Sequence, residues 1–305
     1  MTDAAIDNAA PPMNARLWAL LLLLGALWGG SFFFVAVAVH EIPPLTLVLL
    51  RVAIAAAALQ IFLALRGPSF RLAFPYLLPF FGLAMLNNVI PFSLMFTGQT
   101  AIGAGLASVL NATTPFWTLI LVGYVFRTET PAWNKLAGTA LGIAGTALMI
   151  GPGLVAGLGG PAWAKLALIG TALSYAFAFV VARRFRTLPP AVVATGQLTA
   201  STVIMVPLAF AVDGAAGFVG ASWTAWACVL GLALLATALA YIIFFELTAQ
   251  AGSSNASLVT MIVPVVAILL GAFVLRERLE VFELAGMAVI GLGLVVIDGR
   301  FLPRR

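Results

Sequence analysis

Charge is scarce in this 305-residue sequence, since only 8% of the residues are Asp, Glu, Lys or Arg. Soluble proteins carry about 25% charged residues, which keep their surface hydrated. Because 63% of the residues are hydrophobic, so few charges could not solvate the chain, and lipid is the expected solvent for most of it. The composition excludes an ordinary soluble domain and predicts an integral membrane protein.

Cysteine and histidine are also nearly absent, since each occurs once, as Cys228 and His40. A single cysteine excludes an intramolecular disulfide and a cysteine-based metal site. A single histidine argues against a metalloenzyme and a histidine-dependent triad, so no cofactor, metal or enzymatic activity is expected. The formal net charge of +5 does not indicate nucleic acid as a partner, because the positive residues are spread over short loops.

Long apolar runs are abundant. A membrane-spanning helix needs about 20 apolar residues, and the charges divide the chain into ten such spans. They are predicted at 17–39, 42–65, two within 72–126 divided near residue 99, 136–150, 163–182, 190–212, 221–247, 253–275 and 281–296. Span 5 is short, and a loop is expected after it, at 151–161. A cleaved signal peptide is the alternative for the first 40 residues, and the length of the apolar run argues against it.

Lys and Arg are distributed unevenly between the two sides of the predicted membrane. If the N terminus is cytoplasmic, eleven of the 15 lie on the cytoplasmic side, three lie on the outer side, and Arg51 lies within span 2. This positive-inside bias predicts a multi-pass protein with both termini in the cytoplasm.

The second half of the sequence repeats the first. "LTAQAGSSNASLVTMIVPVV" (247–266) follows the pattern of "FTGQTAIGAGLASVLNATTPFW" (96–117), and Leu-Ala-Gly occurs at 136–138 and 284–286. The repeats are predicted at 16–151 and 161–299, with a disordered cytoplasmic tail at 1–15 and another tail at 300–305. Because each repeat has an odd number of spans, the second copy enters the membrane from the opposite side and has the inverted topology. The predicted fold class is therefore all-α integral membrane, with ten transmembrane helices as two inverted-topology five-helix repeats, an arrangement typical of transporters.

Two prolines occupy corresponding places in spans 4 and 9, Pro115 beside Asn111 and Thr113, and Pro264. Proline removes a backbone donor and breaks or kinks a helix. Matched breaks point to a substrate cavity near the membrane midplane, so both prolines are predicted to line it. The alternative is that membrane helices simply tolerate proline.

Arg51 is predicted well inside span 2, about 12 Å from its start at 1.5 Å per residue. A charge within a span suggests a functional role, because it is costly to place there. A guanidinium can bind a substrate carboxylate through two parallel hydrogen bonds. The alternative is a structural role, in which Arg51 reaches outward or bonds carbonyl groups at a helix end. Its counterpart in the second repeat is Gln197, so the site is not symmetric in charge.

Polar and aromatic residues form matching stripes on spans 3 and 8. Asn88, Phe92, Met95 and Gln99 share one helix face, and Thr237, Tyr241, Phe244 and Thr248 share another. Stripes of this kind should turn inward and form an apolar, aromatic pocket for a small amphipathic molecule, although packing or the interfacial belt is the alternative for each aromatic. The predicted substrate-binding residues are Trp28, Arg51, Asn88, Phe92, Asn111, Thr113, Tyr175, Phe177, Tyr241, Phe244, Ser254 and Asn255.

Glycines and acidic residues complete the prediction. Glycines at 138, 142 and 145 in span 5 and at 286, 291 and 293 in span 10 predict close helix packing, within the chain or in a dimer. Glu277 and Glu280 are expected in loops, pairing with Arg or capping helices. No Asp or Glu is predicted deep in a span, which favours downhill transport without a buried carboxylate relay.

Several features together resemble the EamA-type carriers of the drug/metabolite transporter superfamily. They are "LLLGALWGGSFF" with Trp28-Gly29, Arg51, Pro115, the loop "FRTETP" and, in the second copy, "VPVVAILLGAFVLRERLEVFELAG". The resemblance covers about 17–298, and the bacterial YddG-type amino-acid exporters are the most similar group. It implies a bacterial inner-membrane protein that exports aromatic and other mostly apolar amino acids through a cavity lined by spans 1, 3, 4, 6, 8 and 9. The expected partners are the amino acid and the lipid bilayer, and the chain is a monomer or weak homodimer.

Other functions fit less well. Carriers of sugar phosphates would need several buried cations, and an extruder of drug cations would need a carboxylate in the membrane. An exporter of another small metabolite or drug, possibly proton-coupled, is the main alternative. A membrane-embedded enzyme or a non-transporting scaffold belongs to a different class. No catalytic set supports an enzyme, and binding of Trp, Phe or Met would distinguish a carrier from a scaffold.

Overall fold

The computed structural model describes residues 14–121, 125, 133–156, 160–215, 220–244, 246–247, 250 and 259–298. Every regular element in these ranges is helical. Six of the described helices are long and apolar enough to cross a membrane, and three shorter apolar helices accompany them. The chain is a helical, multi-pass membrane protein.

The helices are numbered after the predicted spans. They are α1 (Ala15–Ala38), α2 (Pro44–Arg66), α3 (Phe70–Gly98), α4 in two pieces (Ala104–Asn111 and Thr114–Ile120), α5 (Trp133–Ala156), α6 (Ala162–Ala182), α7 (Pro190–Val212), α8 (Trp223–Phe244), α9 (Val259–Phe273) and α10 (Val281–Asp298). The predicted loop at 151–161 is wrong over its first part, because α5 continues to Ala156. In lipid the backbone stays helical even at Gly and Pro residues, because a non-helical segment would leave N–H and C=O groups without hydrogen-bond partners.

Proline pairs fix the starts of two corresponding helices. α2 begins at Pro44 after Pro43, and α7 begins at Pro190 after Pro189. Proline suits the first helical position, because the N–H that it lacks would have no partner there and its φ is already helical.

Corresponding helices of the predicted repeats pack on each other. α5 packs on α10 more extensively than any other pair of described helices, and α2 packs closely on α7. A Cβ added to Gly293 of α10 would lie 2.7 Å from the carbonyl oxygen of Gly138 on α5. The predicted glycine packing is therefore confirmed within the chain, where small residues let two backbones approach.

The two ends of the bundle carry different connections. The first-loop end is the end where α1 passes into α2 through residues 39–43, and the N-terminal end is the end where α1 begins. Side-chain contacts place the starts of α2, α4, α8 and α10 at the first-loop end. Alternate helices thus run in opposite directions, as short connections between packed helices require.

Candidate functional site

Arg51 is buried in the bundle, with 5% of its surface exposed. Its Nε donates a hydrogen bond to the Thr237 hydroxyl of α8 at 2.9 Å. Its guanidinium carbon lies 3.9 Å from the centre of the Phe92 ring and 5.7 Å from that of Phe96. The Nη1 atom is buried without a hydrogen-bond partner, and no carboxylate of the described residues pairs with this cation. The structure therefore contradicts the alternative in which Arg51 reaches outward.

The surroundings of Arg51 compensate its charge only in part. A desolvated cation over an aromatic ring gains about 2 kcal/mol. Removing an ion from water costs several kcal/mol even after relaxation of the protein. A buried guanidinium with an unpaired N–H group is therefore a place where an anionic ligand group would bind favourably.

π-helical segments interrupt both α3 and α8. They are Met85–Val89 in α3 and Gly231–Leu239 in α8. The Thr237 hydroxyl donates to the carbonyl of Leu232, five residues earlier, at 2.8 Å. A π-helical turn holds extra residues and redirects the side chains that follow, and such segments are frequent at functional sites. These two segments bring Asn88 and Thr237 to the interior.

An amide network joins α3, α7 and α8 beside Arg51. The Asn87 amide donates to the Gln197 side-chain oxygen at 2.9 Å, and the Asn88 amide donates to the Ser201 hydroxyl at 2.9 Å. The Tyr241 hydroxyl hydrogen-bonds with the side chains of Asn87 and Gln197. Asn88 Oδ1 is buried without a hydrogen-bond partner. The network thus retains one buried acceptor atom without a donor.

Sequence reasoning missed three members of this network, Asn87, Gln197 and Ser201. A helix of 3.6 residues per turn places Asn87 off the face that holds Asn88 and Phe92, and the π-helical turn changes that relation. Gln197 occupies the position that corresponds to Arg51, and this equivalence was the only signal in the sequence that could have identified it.

The predicted aromatic site residues lie on α1, α3, α6 and α8. The rings of Trp28 on α1 and Phe244 on α8 pack with centroids 5.4 Å apart. The hydroxyl groups of Tyr175 and Tyr241 lie close enough to Arg51 to interact with its charge. Phe177 is half-buried on α6. The structure therefore brings Arg51, Phe92, Tyr175 and Tyr241 together. Asn88 is buried four residues before Phe92, and the predicted residues Trp28 and Phe244 pair with each other between α1 and α8.

The predicted break in span 4 is present. α4 ends its first piece at Asn111 and starts its second at Thr114, so Pro115 takes an early position where proline is tolerated. The Thr113 hydroxyl donates to the carbonyl of Leu110 at 2.6 Å and accepts from the Trp117 indole at 3.2 Å. Asn111 Oδ1 is buried without a partner. α4 packs mainly on α1, α6 and α9 rather than on α2, so Asn111 and Thr113 form a second polar position.

Pro264 behaves differently from Pro115, and the prediction of matched helix breaks is wrong on this side. Pro264 lies inside the continuous helix α9, as membrane helices allow when neighbours satisfy the freed carbonyl. It lines an apolar cavity of about 320 Å³ between α4, α9 and α10, together with Val109, Ala112 and Met287. None of the predicted polar site residues lines this cavity. A second cavity of about 550 Å³ opens between α3 and α6 near Ser93 and Trp163.

An ion pair near the first-loop end was not predicted. Lys165 Nζ of α6 lies 3.6 Å from Glu283 Oε1 of α10, and the two side chains are 1% and 3% exposed. Glu283 Oε2 accepts a hydrogen bond from the backbone N–H of Glu280 at 3.0 Å. Sequence reasoning assigned Lys165 to the outer side and did not anticipate that its ammonium group is buried beside Glu283 and the Phe282 ring.

Ser254, Asn255 and Thr248 of the predicted site lie outside the described residues. Glu277 was expected to cap a helix or pair with Arg, and the capping role is confirmed. Its carboxylate accepts hydrogen bonds from the backbone N–H groups of Ala104 and Gly105 at the start of α4.

Comparison with known families decides the classification. The profile of the EamA-like transporter family matches the chain twice, at residues 16–151 and 162–298. The chain belongs to the EamA-like transporter family. The two matched segments, here called the first and second halves, contain α1–α5 and α6–α10.

Curated relatives align with this EamA-like protein over almost its whole length. An uncharacterized inner membrane transporter, YedA of Escherichia coli K12, is 27% identical over 95% of this chain and 92% of its own. A probable terminal-alkyne amino-acid exporter of Streptantibioticus cattleyicolor is 28% identical over 96% of both chains. A probable amino-acid metabolite efflux pump of Salmonella typhimurium is 28% identical over 94% of this chain and 96% of its own.

One solved crystal structure superposes with a TM-score of 0.65 and 19% identity, covering 93% of this chain and 96% of that one. At this identity the similarity shows a shared fold. The family and the apolar helices together identify a multi-pass membrane transporter.

Proposed function

We propose that this EamA-like transporter exports amino acids, aromatic and other mostly apolar ones, from the cytoplasm across the inner membrane. The observation that carries the proposal is the buried Arg51 guanidinium, which stacks on Phe92, bonds Thr237 and keeps Nη1 unpaired. A substrate carboxylate would supply the missing negative charge and accept from Nη1.

The neighbouring groups suit the rest of an amino acid. The unpaired Asn88 Oδ1 can accept a hydrogen bond from an ammonium group. The paired rings of Trp28 and Phe244 can contact an apolar or aromatic side chain through dispersion and offset stacking. A few polar groups within an apolar, aromatic lining are typical of small-molecule sites.

Alternating access between two inverted repeats is the proposed mechanism. It is supported by the packing of α2 on α7 and α5 on α10, which pairs equivalent helices of the two halves. In such folds one half rocks against the other around a site near the midplane. The positive-inside bias assigns both termini to the cytoplasm and the first-loop end to the outer face.

The relatives add support, because two proteins that are each 28% identical to this chain carry names that describe amino-acid or amino-acid metabolite export. Those names belong to the relatives, and the substrate here is proposed from them together with the chemistry around Arg51.

Uptake of radiolabelled phenylalanine, tryptophan and methionine into proteoliposomes tests the proposal. We expect saturable uptake that excess unlabelled amino acid blocks. Arg51→Lys should reduce it about tenfold, because lysine keeps the charge but loses the planar fork. Arg71→Ala is the control, because Arg71 is exposed at the N-terminal end. Absence of uptake, together with no shift in melting temperature by any of the three amino acids, would remove the amino-acid assignment.

Proton coupling is the second candidate, and the buried pair of Lys165 and Glu283 favours it, since buried ionisable groups mark proton relays in membranes. An imposed pH gradient decides between the two mechanisms. Uptake that is indifferent to the gradient supports downhill transport. Uptake that requires the gradient and is lost in Glu283→Gln supports coupling.

A further inference from the structure

Three carboxylates at the first-loop end bind the starts of helices in the opposite half. The first is Glu41, in the connection between α1 and α2. Its two carboxylate oxygens accept from the backbone N–H of Ser222 at 2.7 Å and from the Ser222 hydroxyl at 2.8 Å. Ser222 is the N-cap residue of α8, so a first-half carboxylate fixes the start of a second-half helix.

Asp213 makes the reciprocal contact. It follows the last residue of α7, and its Oδ2 accepts from the backbone N–H of Thr46 at 2.7 Å and from the Thr46 hydroxyl at 2.9 Å. Thr46 lies in the first turn of α2, where backbone N–H groups lack helical partners. A second-half carboxylate therefore fixes the start of a first-half helix.

Glu277 makes the third contact, between α9–α10 and α4. Its carboxylate accepts from the backbone N–H groups of Ala104 at 2.7 Å and Gly105 at 3.1 Å. Glycine at two neighbouring positions leaves room for it, because a Cβ added to Gly103 or Gly271 would lie about 2.5 Å from its atoms. The preceding residue, Arg276, has a φ of 57°, a left-handed conformation that is uncommon for a residue with a side chain.

The three contacts share one chemistry. A carboxylate near a helix N-terminus satisfies unpaired N–H groups and interacts favourably with the helix dipole. The capped helices also carry the candidate site, because α2 holds Arg51, α8 holds Thr237, and α4 holds Asn111. Any movement of these helix starts would therefore reach the substrate position.

The contacts between the two halves are of a different kind at the N-terminal end. Among the described residues, its contacts between the halves include the ion pair of Arg16 with Glu246, whose side chains are 65% and 32% exposed. They also include an exposed hydrogen bond between Tyr76 and Thr187 at 3.3 Å. Exposed polar pairs of this kind contribute little. Apolar packing joins the halves there instead, with Phe80 of the first half stacked on Phe185 of the second at 4.6 Å between ring centroids. Charged helix caps between the halves are therefore a feature of the first-loop end.

We infer that Glu41, Asp213 and Glu277 form a latch that holds the first-loop end of the transport path closed and that must release when this end opens. The inference rests on the proposed alternating-access function. Opening one end separates the halves there, so each carboxylate must leave the helix start that it caps.

The single cysteine of the sequence provides a native reporter of this opening. Cys228 lies on α8, six residues after Ser222, and its surface is 6% exposed. In lipid nanodiscs, a bulky hydrophilic maleimide should label the wild-type protein slowly. Asp213→Asn and Glu277→Gln should each raise the labelling rate about fivefold, the effect expected for loss of one charged helix cap. Labelling at the wild-type rate in both variants would overturn the inference.

Two controls separate opening from other causes. Glu246→Gln removes a carboxylate at the N-terminal end and should leave Cys228 labelling unchanged. For Glu41→Gln, the informative quantity is the Cys228 labelling rate with a bulky thiol reagent divided by the rate with a small one. This ratio is needed because the Glu41 charge acts on Cys228 directly. If the labelling rate of the small reagent rises as much as that of the bulky reagent, the change is an electrostatic effect on the thiol and not an opening of the path.

A cross-link tests the latch in the opposite direction. Thr46→Cys and Asp213→Cys, combined with Cys228→Ser, can be bridged by a short bifunctional thiosulfonate. We expect bridging to stop amino-acid uptake and reduction to restore it. Full uptake by the bridged protein would overturn the latch. The labelling assay needs no substrate, so a wrong amino-acid assignment would leave its result intact.

Discussion

The region around Arg51 is buried in the bundle, whereas the cavity between α4, α9 and α10 is an open groove bordered by the exposed side chains of Val265 and Val295. The two regions also differ in chemistry. The first holds a buried cation, two unpaired polar atoms and an amide network. The second is an apolar space of about 320 Å³ lined by Pro264 and aliphatic side chains. A polar ligand gains hydrogen bonds only in the first, because polar groups in an apolar cavity would lose their hydration without replacement.

The difference teaches how a membrane helix creates a polar site. Pro264 leaves α9 continuous and brings no polar side chain to its cavity. The π-helical segments of α3 and α8 contain no proline, yet they direct Asn88 and Thr237 inward. An extra residue per turn changes which side chains face the interior, whereas a kink changes mainly the helix direction.

The largest effect should come from removing the cation. Arg51→Ala should lower the kcat/KM for amino-acid uptake by about 10- to 100-fold, since a hydrogen bond to a charged group contributes about 1.5–3 kcal/mol. Pro264→Ala should change uptake less than about threefold, because it removes no polar contact. Uptake kinetics of both variants at equal membrane density measure the contrast. Equal losses would erase the distinction between the two regions.

The amide network should show the next largest effect. Asn87→Ala leaves the buried Gln197 oxygen without its donor and should cost about 1–3 kcal/mol of stability. It should also change the order in which unlabelled amino acids compete for uptake. Gln60→Ala is the matched control, because Gln60 bonds Thr199 between α2 and α7 without contacting the candidate site. If Gln60→Ala changes substrate preference to the same degree, the network has no special role.

Two glycines of α10 should respond in opposite directions to an added methyl group. Gly293→Ala should destabilise by about 1–3 kcal/mol, because overpacking forces backbones apart and its Cβ would lie 2.7 Å from a carbonyl oxygen of α5. Gly291→Ala should stabilise by up to about 1 kcal/mol through helix propensity, because its Cβ would meet no atom within 4 Å. Thermal unfolding in detergent measures both. Neither variant should change substrate preference, which belongs to the Arg51 region.

The smallest expected effect is the pH dependence of the stability that Glu41 contributes. It belongs to the first-loop end and not to the polar region around Arg51. Hydrogen bonds from the Ser222 backbone N–H and hydroxyl lower the pKa of Glu41. The stability that this carboxylate adds is therefore fully present above the ordinary glutamate pKa of about 4.3 and is lost as pH falls through the lowered value. The melting temperatures of wild type and Glu41→Gln should differ at pH 7 and converge in stronger acid. A difference that grows in acid would contradict the assigned sign.

Much of the fold follows from the sequence. The boundary between α3 and α4 near Gln99, the ends of α6 and α7 and the glycine contact of α5 with α10 agree with the prediction, because apolar length and small-residue spacing are properties of one segment. The inward turn of Asn88, Phe92 and Gln99, which are all buried, was also predicted. The continuation of α5 past residue 150 was not, since Gly and Pro signals lose much of their force in lipid.

The sequence by itself determined that this protein is a helical membrane transporter with a repeated pattern and that Arg51 lies well inside a span. These conclusions depend on hydropathy, periodicity and composition, which a single chain displays openly. Only the tertiary structure decided that Asn87, Gln197 and Ser201 form one hydrogen-bonded network with Asn88. It also decided that Pro264 lines a separate apolar groove and that carboxylates at one end cap helices of the opposite half. Contacts between residues more than 100 positions apart depend on helix rotation and on local π-helical turns, and those are set when helices pack against each other.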